Sequence, residues 1–462
     1  MHSANPSEIT APLPQNSSAR TKTAIRLEFI VALAAFAALS ARLLMLISRY
    51  SVNVFFMDQW EFNEATLFQH HSLWEMFRWQ HGPHRQGLGA VVAFLVEPHF
   101  HWNSRAESFL VGVIVILAAA CALWLKCRLF GPLTIFDVCI PLILLTPLQY
   151  ETLFITANLA HGPLPLLLII FFCLAWTISN NAVRLAVVLA INFLALHTGF
   201  GFFLGLITPA AIVVNYWMNL RYVARGWLLS SLSLLVSLAS LASFFVNYRF
   251  ETSVDCAPNL VQSPLGYAKF LWLMFANPLG AKGTGFFPMF VGILTLAAMA
   301  GSLVVSIVAL RPQTNAADRT RNLVVAVLLG FCLLFSANAA YGRSCLGIQV
   351  AQVSRYVIYM GCGLLGLYLF FLALPRSVFR NCLLTAFAVV LLGTSPIRWQ
   401  DQAVMRFVSS AKTNWRACYF QIEDIRRCNH AVGYGVYPNT DRDLKGKLQF
   451  LKQTQQNLYA TQ

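Results

Sequence analysis

Residues 27–48 read LEFIVALAAFAALSARLLMLIS, and this apolar run decides the fold. A helix of about 20 apolar residues is long enough to cross the roughly 30 Å hydrocarbon core of a bilayer. The run continues directly into Arg49-Tyr50 and lacks a small-residue cleavage site, which excludes a cleaved signal peptide. We therefore expect a first membrane span here. Residues 1–25, rich in Pro, Ser, Asn and Thr, are expected to form a disordered cytoplasmic tail.

The composition of the whole chain extends this conclusion. Hydrophobic residues make up 58% of the 462 residues and charged residues 11%, and the mean hydropathy is +0.62, which excludes an ordinary soluble domain. We predict an all-α, polytopic transmembrane helical bundle with about eleven spans. The predicted spans are 27–48, 108–125, 134–148, 163–178, 183–198, 201–217, 227–246, 286–310, 323–340, 356–374 and 382–397.

The basic residues predict the orientation of this bundle. With a cytoplasmic N-terminus, every cytoplasmic connector carries Lys or Arg, as the positive-inside bias requires. These residues are Lys126, Arg128, Arg184, Arg221, Arg225, Arg311, Arg319, Arg321, Arg376 and Arg380. We expect a multi-pass protein of a bacterial inner membrane, with a transmembrane domain at 26–397 and a periplasmic C-terminal tail at 398–462. The connectors and this tail explain most of the net charge of +15, and no nucleic-acid module is expected.

The first outer loop, residues 49–107, holds the first candidate site. It contains FMDQW at 56–60 and WQHGPHR at 79–85. Asp58 lies within two residues of two aromatic side chains, where partial burial would suit it to accept a proton. Two plainer interpretations stay open: a solvated loop acid, or the N-cap of a helix that begins near Gln59.

Further candidates follow at the outer ends of later spans. Gln149 and Glu151 end one apolar run, Lys282 lies in an amphipathic stretch, and Arg343 and Arg355 lie between two later spans. Arginine forks match phosphate oxygens, and the positive-inside bias disfavours arginines on this side. A carboxylate base facing phosphate-binding cations is the arrangement that transfer from a phosphate leaving group requires. The alternatives are helix capping by the glutamate and snorkelling by the arginines.

Several motifs together resemble one known group. DQW at 58–60 followed by QHGPHR at 80–85 is similar to the DxW…HNEHR region of bacterial polytopic proteins related to the GT-C glycosyltransferases. QYETLFITANL at 149–159, ANPLG at 276–280 and YGRSCLGIQVAQVSRY at 341–356 follow in the same order. The resemblance implies a polyprenyl-phosphate-sugar donor and a catalytic acid in the first outer loop. At the matching positions of this chain, the resemblance implies that Asp58 is the catalytic acid and that His81, His84 and Arg85 form a basic cluster.

The chain departs from that group at two points. Gly82-Pro83 replaces the usual Asn-Glu, so one candidate carboxylate is missing and a metal site is weakened. Glu61 and Glu64 are only loosely placed to supply a paired acid. We expect no cofactor, and a divalent metal is left open but without support. For His81, His84 and Arg85, a turn that anchors lipid headgroups is the competing interpretation.

These observations predict an inverting membrane glycosyltransferase. It would move a sugar from a polyprenyl-phosphate donor to a glycan or lipid acceptor at the outer face, in lipopolysaccharide or other cell-envelope assembly. Membrane lipids would be further partners, and nucleic acid would not. A polysaccharide polymerase or ligase, a lipid flippase or transporter, and a non-catalytic membrane protein are the alternatives. Cys418 and Cys428 lie in one tail, and the sequence leaves their pairing open.

Overall fold

The computed structural model describes residues 16–69, 71–219, 226–250, 256–311, 315–437 and 441–460. These residues form a helical protein with one two-stranded ribbon. The predictions on residues 1–15, Arg221 and Arg225 lie outside this part of the chain. The first helix begins at Asn16, within the stretch predicted as a cytoplasmic tail.

The α-helices follow the apolar runs of the sequence, with short helices in the connectors. In chain order they are α1 Asn16–Tyr50, α2 Gln59–Phe62, α3 Leu73–Arg78, α4 Gly87–Val96, α5 Ser104–Phe130, α6 Cys139–Leu144, α7 Pro163–Ala175, α8 Asn181–Leu196, α9 Phe202–Asn219, α10 Gly226–Phe244, α11 Ala257–Gln262, α12 Pro264–Ala276, α13 Phe286–Val308, α14 Ala316–Arg343, α15 Val357–Ala373, α16 Val378–Thr394, α17 Trp399–Ile422, α18 Ile425–Val432 and α19 Asp441–Thr454. Strands β1 Gln80–His81 and β2 His84–Arg85 pair antiparallel.

Short irregular helices connect these elements. Single π-helical turns lie at Glu64–Phe68 and Glu151–Ile155. The 3₁₀ turns are Glu97–Phe100, Ile135–Val138, Pro147–Gln149, Asn277–Leu279, Ser344–Leu346, Ile348–Gln352, Ser354–Tyr356 and Asn457–Tyr459. Both π turns lie in the segments that carry candidate acids, where such turns are frequently found at functional sites.

Local sequence signals explain where the helices begin and end. The side chain of Asn103 accepts a hydrogen bond from the backbone N–H of Arg105 and so caps α5. Pro163 opens α7, where its missing N–H costs no helical hydrogen bond. Gly131 ends α5 with a φ of 84°, a left-handed conformation that favours glycine.

The bundle is built for a membrane. Among the described residues, six helices are long and apolar enough to cross a bilayer, or seven if the bent pair α16 and α17 forms one span. Each of the eleven predicted spans falls on an apolar helix, but 134–148, 163–178, 183–198 and 201–217 correspond to shorter ones. The prediction of an all-α, polytopic transmembrane helical bundle is confirmed, and the protein is a multi-pass membrane protein.

The most extensive helix–helix contact among the described residues is between α14 and α15. Leu328, Cys332 and Phe335 of α14 are fully buried, as is Met360 of α15. Gly363 of α15 faces Cys332 so closely that an added Cβ would lie 2.5 Å from its sulfur. Small residues at such crossings let two membrane helices approach closely, so dispersion contacts replace the missing hydrophobic driving force.

Because neighbouring helices run antiparallel, the connectors between them lie at two opposite ends of the bundle. The end that contains Asp58 and Arg355 is called the site pole. At the opposite end, Arg128 donates to the carbonyl oxygen of Thr177 and Arg321 donates to that of Leu129. We call this end the basic pole. It gathers the described basic connectors, as the charge pattern predicts, and the side of the membrane that it faces stays a prediction.

The segment predicted as a C-terminal tail folds back onto the first loop. The backbone N–H of Met57 donates to the carbonyl oxygen of Val436 at 2.9 Å, and Lys447 forms a 2.6 Å ion pair with Glu64. Two disulfides link segments of the described chain. The pairing of Cys418 with Cys428, open in the sequence, is present, and Cys256 pairs with Cys345.

Candidate active site at the site pole

The turn that carries Asp58 has an unusual backbone. Met57 adopts a left-handed conformation with φ 49°, which is uncommon for a side chain of this kind. Its N–H bond to Val436 holds that conformation in place. α2 then begins at Gln59, and Asp58 occupies the N-cap position without a side-chain capping hydrogen bond. The carboxylate is therefore not used to cap the helix, and 37% of the side chain is exposed.

Arg355 lies between two carboxylates. Its Nη1 is 3.7 Å from Oδ2 of Asp58, and its Nε is 3.3 Å from Oε1 of Glu151. The backbone N–H of Arg355 also donates to Oε2 of Glu151 at 3.3 Å. The arginine side chain is 45% exposed and that of Glu151 is 24% exposed, so solvent or a ligand reaches this group. Three residues that were predicted separately thus form one site.

Ser354 fixes the two later segments to each other. Its hydroxyl donates to the carbonyl oxygen of Leu148 at 2.6 Å and accepts from the backbone N–H of Glu151 at 3.1 Å. Ser354 is itself buried. The 3₁₀ turn Ser354–Tyr356, which precedes α15, is therefore held against the π turn that contains Glu151. This contact keeps Arg355 and Glu151 beside each other.

Three histidines lie beside these charges. His81 is 3.4 Å from the carboxylate of Glu61, and its ring packs edge-on against Phe62. The Nε2 atoms of His84 and His161 are in contact, and their ring centroids are 4.1 Å apart. His161 follows the QYETLFITANL motif by two residues and is not among the site residues predicted from the sequence. Its separation from the first loop along the chain hides the contact with His84.

Burial controls the charge of these imidazoles. It lowers the pKa of His81, with Glu61 and Asp58 opposing the effect. Burial lowers the pKa of His84 and His161 well below the usual value, and nearby positive groups, Arg343 among them, add to the lowering. Neutral imidazoles both donate and accept hydrogen bonds, which suits them to contact sugar hydroxyls.

Two predicted binding residues donate hydrogen bonds to backbone carbonyl oxygens of the fold. Arg85 is buried, and its guanidinium donates to the carbonyl oxygens of Phe244 and Val246 at 2.7 and 2.8 Å. Gln149 is also buried, and its amide donates to the carbonyl oxygen of Leu144 at 2.7 Å. We leave both out of the proposed site because hydrogen bonds to backbone carbonyl oxygens already use their donors.

The remaining two cations flank the site. Lys282 donates to the carbonyl oxygen of Gln352 at 2.8 Å. Burial lowers its pKa, while the charges of Asp401 and Glu151 oppose this effect. Arg343, the last residue of α14, is exposed and lies close enough to His84 to affect its pKa. Lys282 therefore lies near Glu151, and Arg343 lies near His84.

A buried layer supports the Asp58 turn from below. Gln59 accepts a hydrogen bond from the backbone N–H of Phe56 and donates to Glu107 and to the carbonyl oxygen of Ala157. Lys412 donates to the carbonyl oxygen of Ile155 at 2.6 Å, and its ammonium lies 4.9 Å from the centre of the Phe56 ring. Sequence reasoning missed this layer, because Gln59, Glu107 and Lys412 are far apart in the chain and no local pattern links them.

No group of three or more His, Cys, Asp or Glu in the described ranges has an arrangement that could hold a metal ion.

Comparisons with known proteins give one structural similarity. No family model matches this chain. No curated protein matches it either. Among solved structures, the chain is similar to the archaeal oligosaccharyltransferase AglB from Archaeoglobus fulgidus, in complex with an inhibitory peptide and a dolichol-phosphate. The identity is 13% and the TM-score is 0.44. The alignment covers 91% of this chain and 59% of that one, so this chain spans less than two thirds of its length.

Proposed function

We propose that this protein is a membrane glycosyltransferase of the GT-C type. It transfers a sugar from a polyprenyl-phosphate donor to a glycan or lipid acceptor at the site pole, with inversion at the anomeric carbon. The observation that carries the proposal is the position of Arg355 between Asp58 and Glu151. A proton acceptor and a phosphate-binding cation then lie side by side, as this chemistry requires.

Arg355 has donors left for a phosphate. A guanidinium has five N–H donors in a rigid fork. Its contacts with described side chains use Nη1 toward Asp58 and Nε toward Glu151, which leaves the Nη2 end for a phosphate oxygen. The two carboxylates fix the plane of the fork before the donor binds, so little side-chain entropy is lost on binding. Glu151 is therefore a positioning residue for Arg355.

The reaction is a single displacement. The acceptor hydroxyl loses its proton to the Asp58 carboxylate as its oxygen bonds to the anomeric carbon. The bond from that carbon to the phosphate oxygen breaks on the opposite face, and its electron pair leaves with the polyprenyl phosphate. Arg355 stabilises the charge that develops on the leaving phosphate, and Arg343 and Lys282 strengthen the local positive potential. Neutral His81 holds a sugar hydroxyl, with the buried His84 packed beside it.

The distribution of charge favours this chemistry over transport. A transporter is expected to place ionisable groups near the middle of the bilayer. Within α5, however, Glu107 lies in the first turn, and Lys126 lies within the last few residues, paired with Asp137 at 2.7 Å. A polysaccharide polymerase or ligase uses the same class of donor, and the products of the reaction distinguish it from a single-sugar transferase.

Glycan profiling of host cells tests the proposal. We expect Asp58→Asn to lower the amount of glycan modification by about 10²–10⁴-fold at matched protein levels, because a positioned base contributes that much. Glu75→Gln is the matched control, since it neutralises an exposed acid of the same loop and glutamine still completes the capping box with Ser72. Full modification by Asp58→Asn would refute the base role. Identical glycans with and without the wild-type protein would refute the proposal that this protein is a glycosyltransferase.

A further inference from the structure

A cavity of about 860 Å³ lies at the basic pole, at the opposite end of the bundle from the candidate active site. Its wall is formed by the ends of α5 and α9, the connector from α7 to α8, and the first turns of α10 and α14. Arg128 and Arg184 lie in this wall, whereas no aspartate or glutamate of the described residues does. The charge of the cavity therefore favours an anion.

Two buried donors in the wall lack acceptors within the described part of the chain. Trp176 is only 2% exposed, and its indole N–H has no hydrogen-bond partner there. Arg184 donates to the carbonyl oxygen of Ile178 and to the side chain of Asn181, but its Nε–H is left without a partner. Buried donors are nearly always paired in folded proteins. Two unpaired donors in one cavity wall point to an acceptor supplied by a ligand.

Two helix N-termini at the cavity also favour a bound anion. α8 and α14 both begin at its wall, at Asn181 and Ala316. The N-terminal end of a helix carries the positive end of its dipole, which stabilises a bound anion. Two arginines, the unpaired indole N–H of Trp176 and two helix N-termini therefore surround one space.

Another part of the wall is apolar. Leu129, Ile178 and Leu229 line the cavity near the ends of the apolar helices α5 and α10. A small free anion would leave these side chains against water, whereas a lipid would cover them with the first part of an acyl chain. We infer that this cavity binds the phosphate-bearing headgroup of an anionic lipid. Trp176 and Arg184 donate to the phosphate oxygens. The inference does not depend on the proposed glycosyl transfer.

Lipid retention by the full-length protein tests this site. The probe is phosphatidylglycerol in nanodiscs with phosphatidylcholine, and native mass spectrometry counts the lipids that stay bound after release. We expect the wild type to retain phosphatidylglycerol. Trp176→Phe, which keeps the ring and removes the N–H, and Arg184→Gln should each weaken retention by about tenfold, as expected for the loss of one hydrogen bond to a charged group.

Arg376→Gln is the matched control, because it removes an exposed positive charge from the turn between α15 and α16, outside the cavity. Its retention should equal that of the wild type. Melting temperatures of all variants confirm that each is folded. Equal retention by all four proteins would overturn the inference. A parallel titration with inorganic phosphate identifies the source of the anion. Stabilisation by phosphate without retained lipid would overturn the assignment to a lipid.

Discussion

Gln59 donates a 2.9 Å hydrogen bond from its Nε2 atom to Oε2 of Glu107, and both side chains are buried. The second proton of the same amide is directed to the carbonyl oxygen of Ala157 at 2.9 Å. One side chain therefore ties the residue next to Asp58 to α5 and to the segment that precedes α7. The position of the candidate base is fixed by this neighbour, since Asp58 itself makes no capping bond.

The first prediction concerns the hydrogen bonds from Gln59 to Glu107 and Ala157. Gln59→Met keeps the length of the side chain and removes both donors and the acceptor used by Phe56. The unfolding free energy should fall by about 1–3 kcal/mol, because buried polar groups lose their partners. Glycan modification should fall further than the loss of folded protein explains, since a 1 Å displacement of a catalytic group can cost about 100-fold. Normal modification per folded molecule would show that Gln59 does not position the base.

The second prediction concerns the fork of Arg355. Arg355→Lys keeps one positive charge, but a single ammonium cannot contact Asp58, Glu151 and a phosphate in the same planar arrangement. The affinity for a polyprenyl-phosphate sugar should fall by about tenfold, measured by titration of the purified protein. Arg376→Lys, at the opposite pole, should bind as the wild type does. Equal binding by Arg355→Lys would remove this residue from phosphate recognition.

The third prediction concerns pH. The folded-state pKa of His84 and of His161 lies well below the unfolded value of about 6.5. The unfolded chain therefore binds protons that the folded protein does not. Their contribution to stability is fully present above about pH 6.5 and is lost as the pH falls below it, by up to about 1.4 kcal/mol per pH unit for each imidazole.

Thermal unfolding between pH 8 and pH 5 measures this effect. Relative to the wild type, the melting temperature of His84→Gln should rise progressively as the pH falls below about 6.5, because one titrating group with a depressed pKa is gone. His99→Gln, which removes an exposed imidazole, is the control and should follow the wild-type curve. Parallel curves for the wild type and His84→Gln would contradict the assignment.

The fourth prediction concerns orientation. Reporter fusions at Lys126 and at Arg376 should report the cytoplasm, and fusions at Trp79 and after Asp401 should report the opposite side. The physical reason is the concentration of basic connectors at one end of the bundle. A cytoplasmic signal at Trp79 would place Asp58 in a compartment where nucleotide sugars are available, and the lipid-linked donor would lose its rationale.

The sequence predicts the membrane bundle well because hydropathy is a local property. The predicted spans 108–125 and 323–340, for example, lie wholly within α5 and α14. It also identifies Asp58, Glu151 and Arg355 as separate candidates. Their assembly into one group depends on how distant helices pack, which no local pattern records.

Arg85 shows why some predicted binding residues differ in the structure. Its charge and its place in a polar loop are the same whether it contacts a phosphate or the carbonyl oxygens at the end of α10. Only the folded structure distinguishes the two. The C-terminal residues were predicted to be a tail for a related reason: their amphipathic helices have no local sign that their apolar faces cover the first loop.

The bond from Met57 to Val436 also has a consequence for the order of biosynthesis. The Asp58 turn emerges from the ribosome early, but the carbonyl that holds its strained backbone is translated after every predicted span. The helices can insert one after another, while the Asp58 turn lacks this hydrogen bond until the segment around Val436 has been translated and has docked. If the proposed function holds, activity should therefore appear only after the segment around Val436 has been translated.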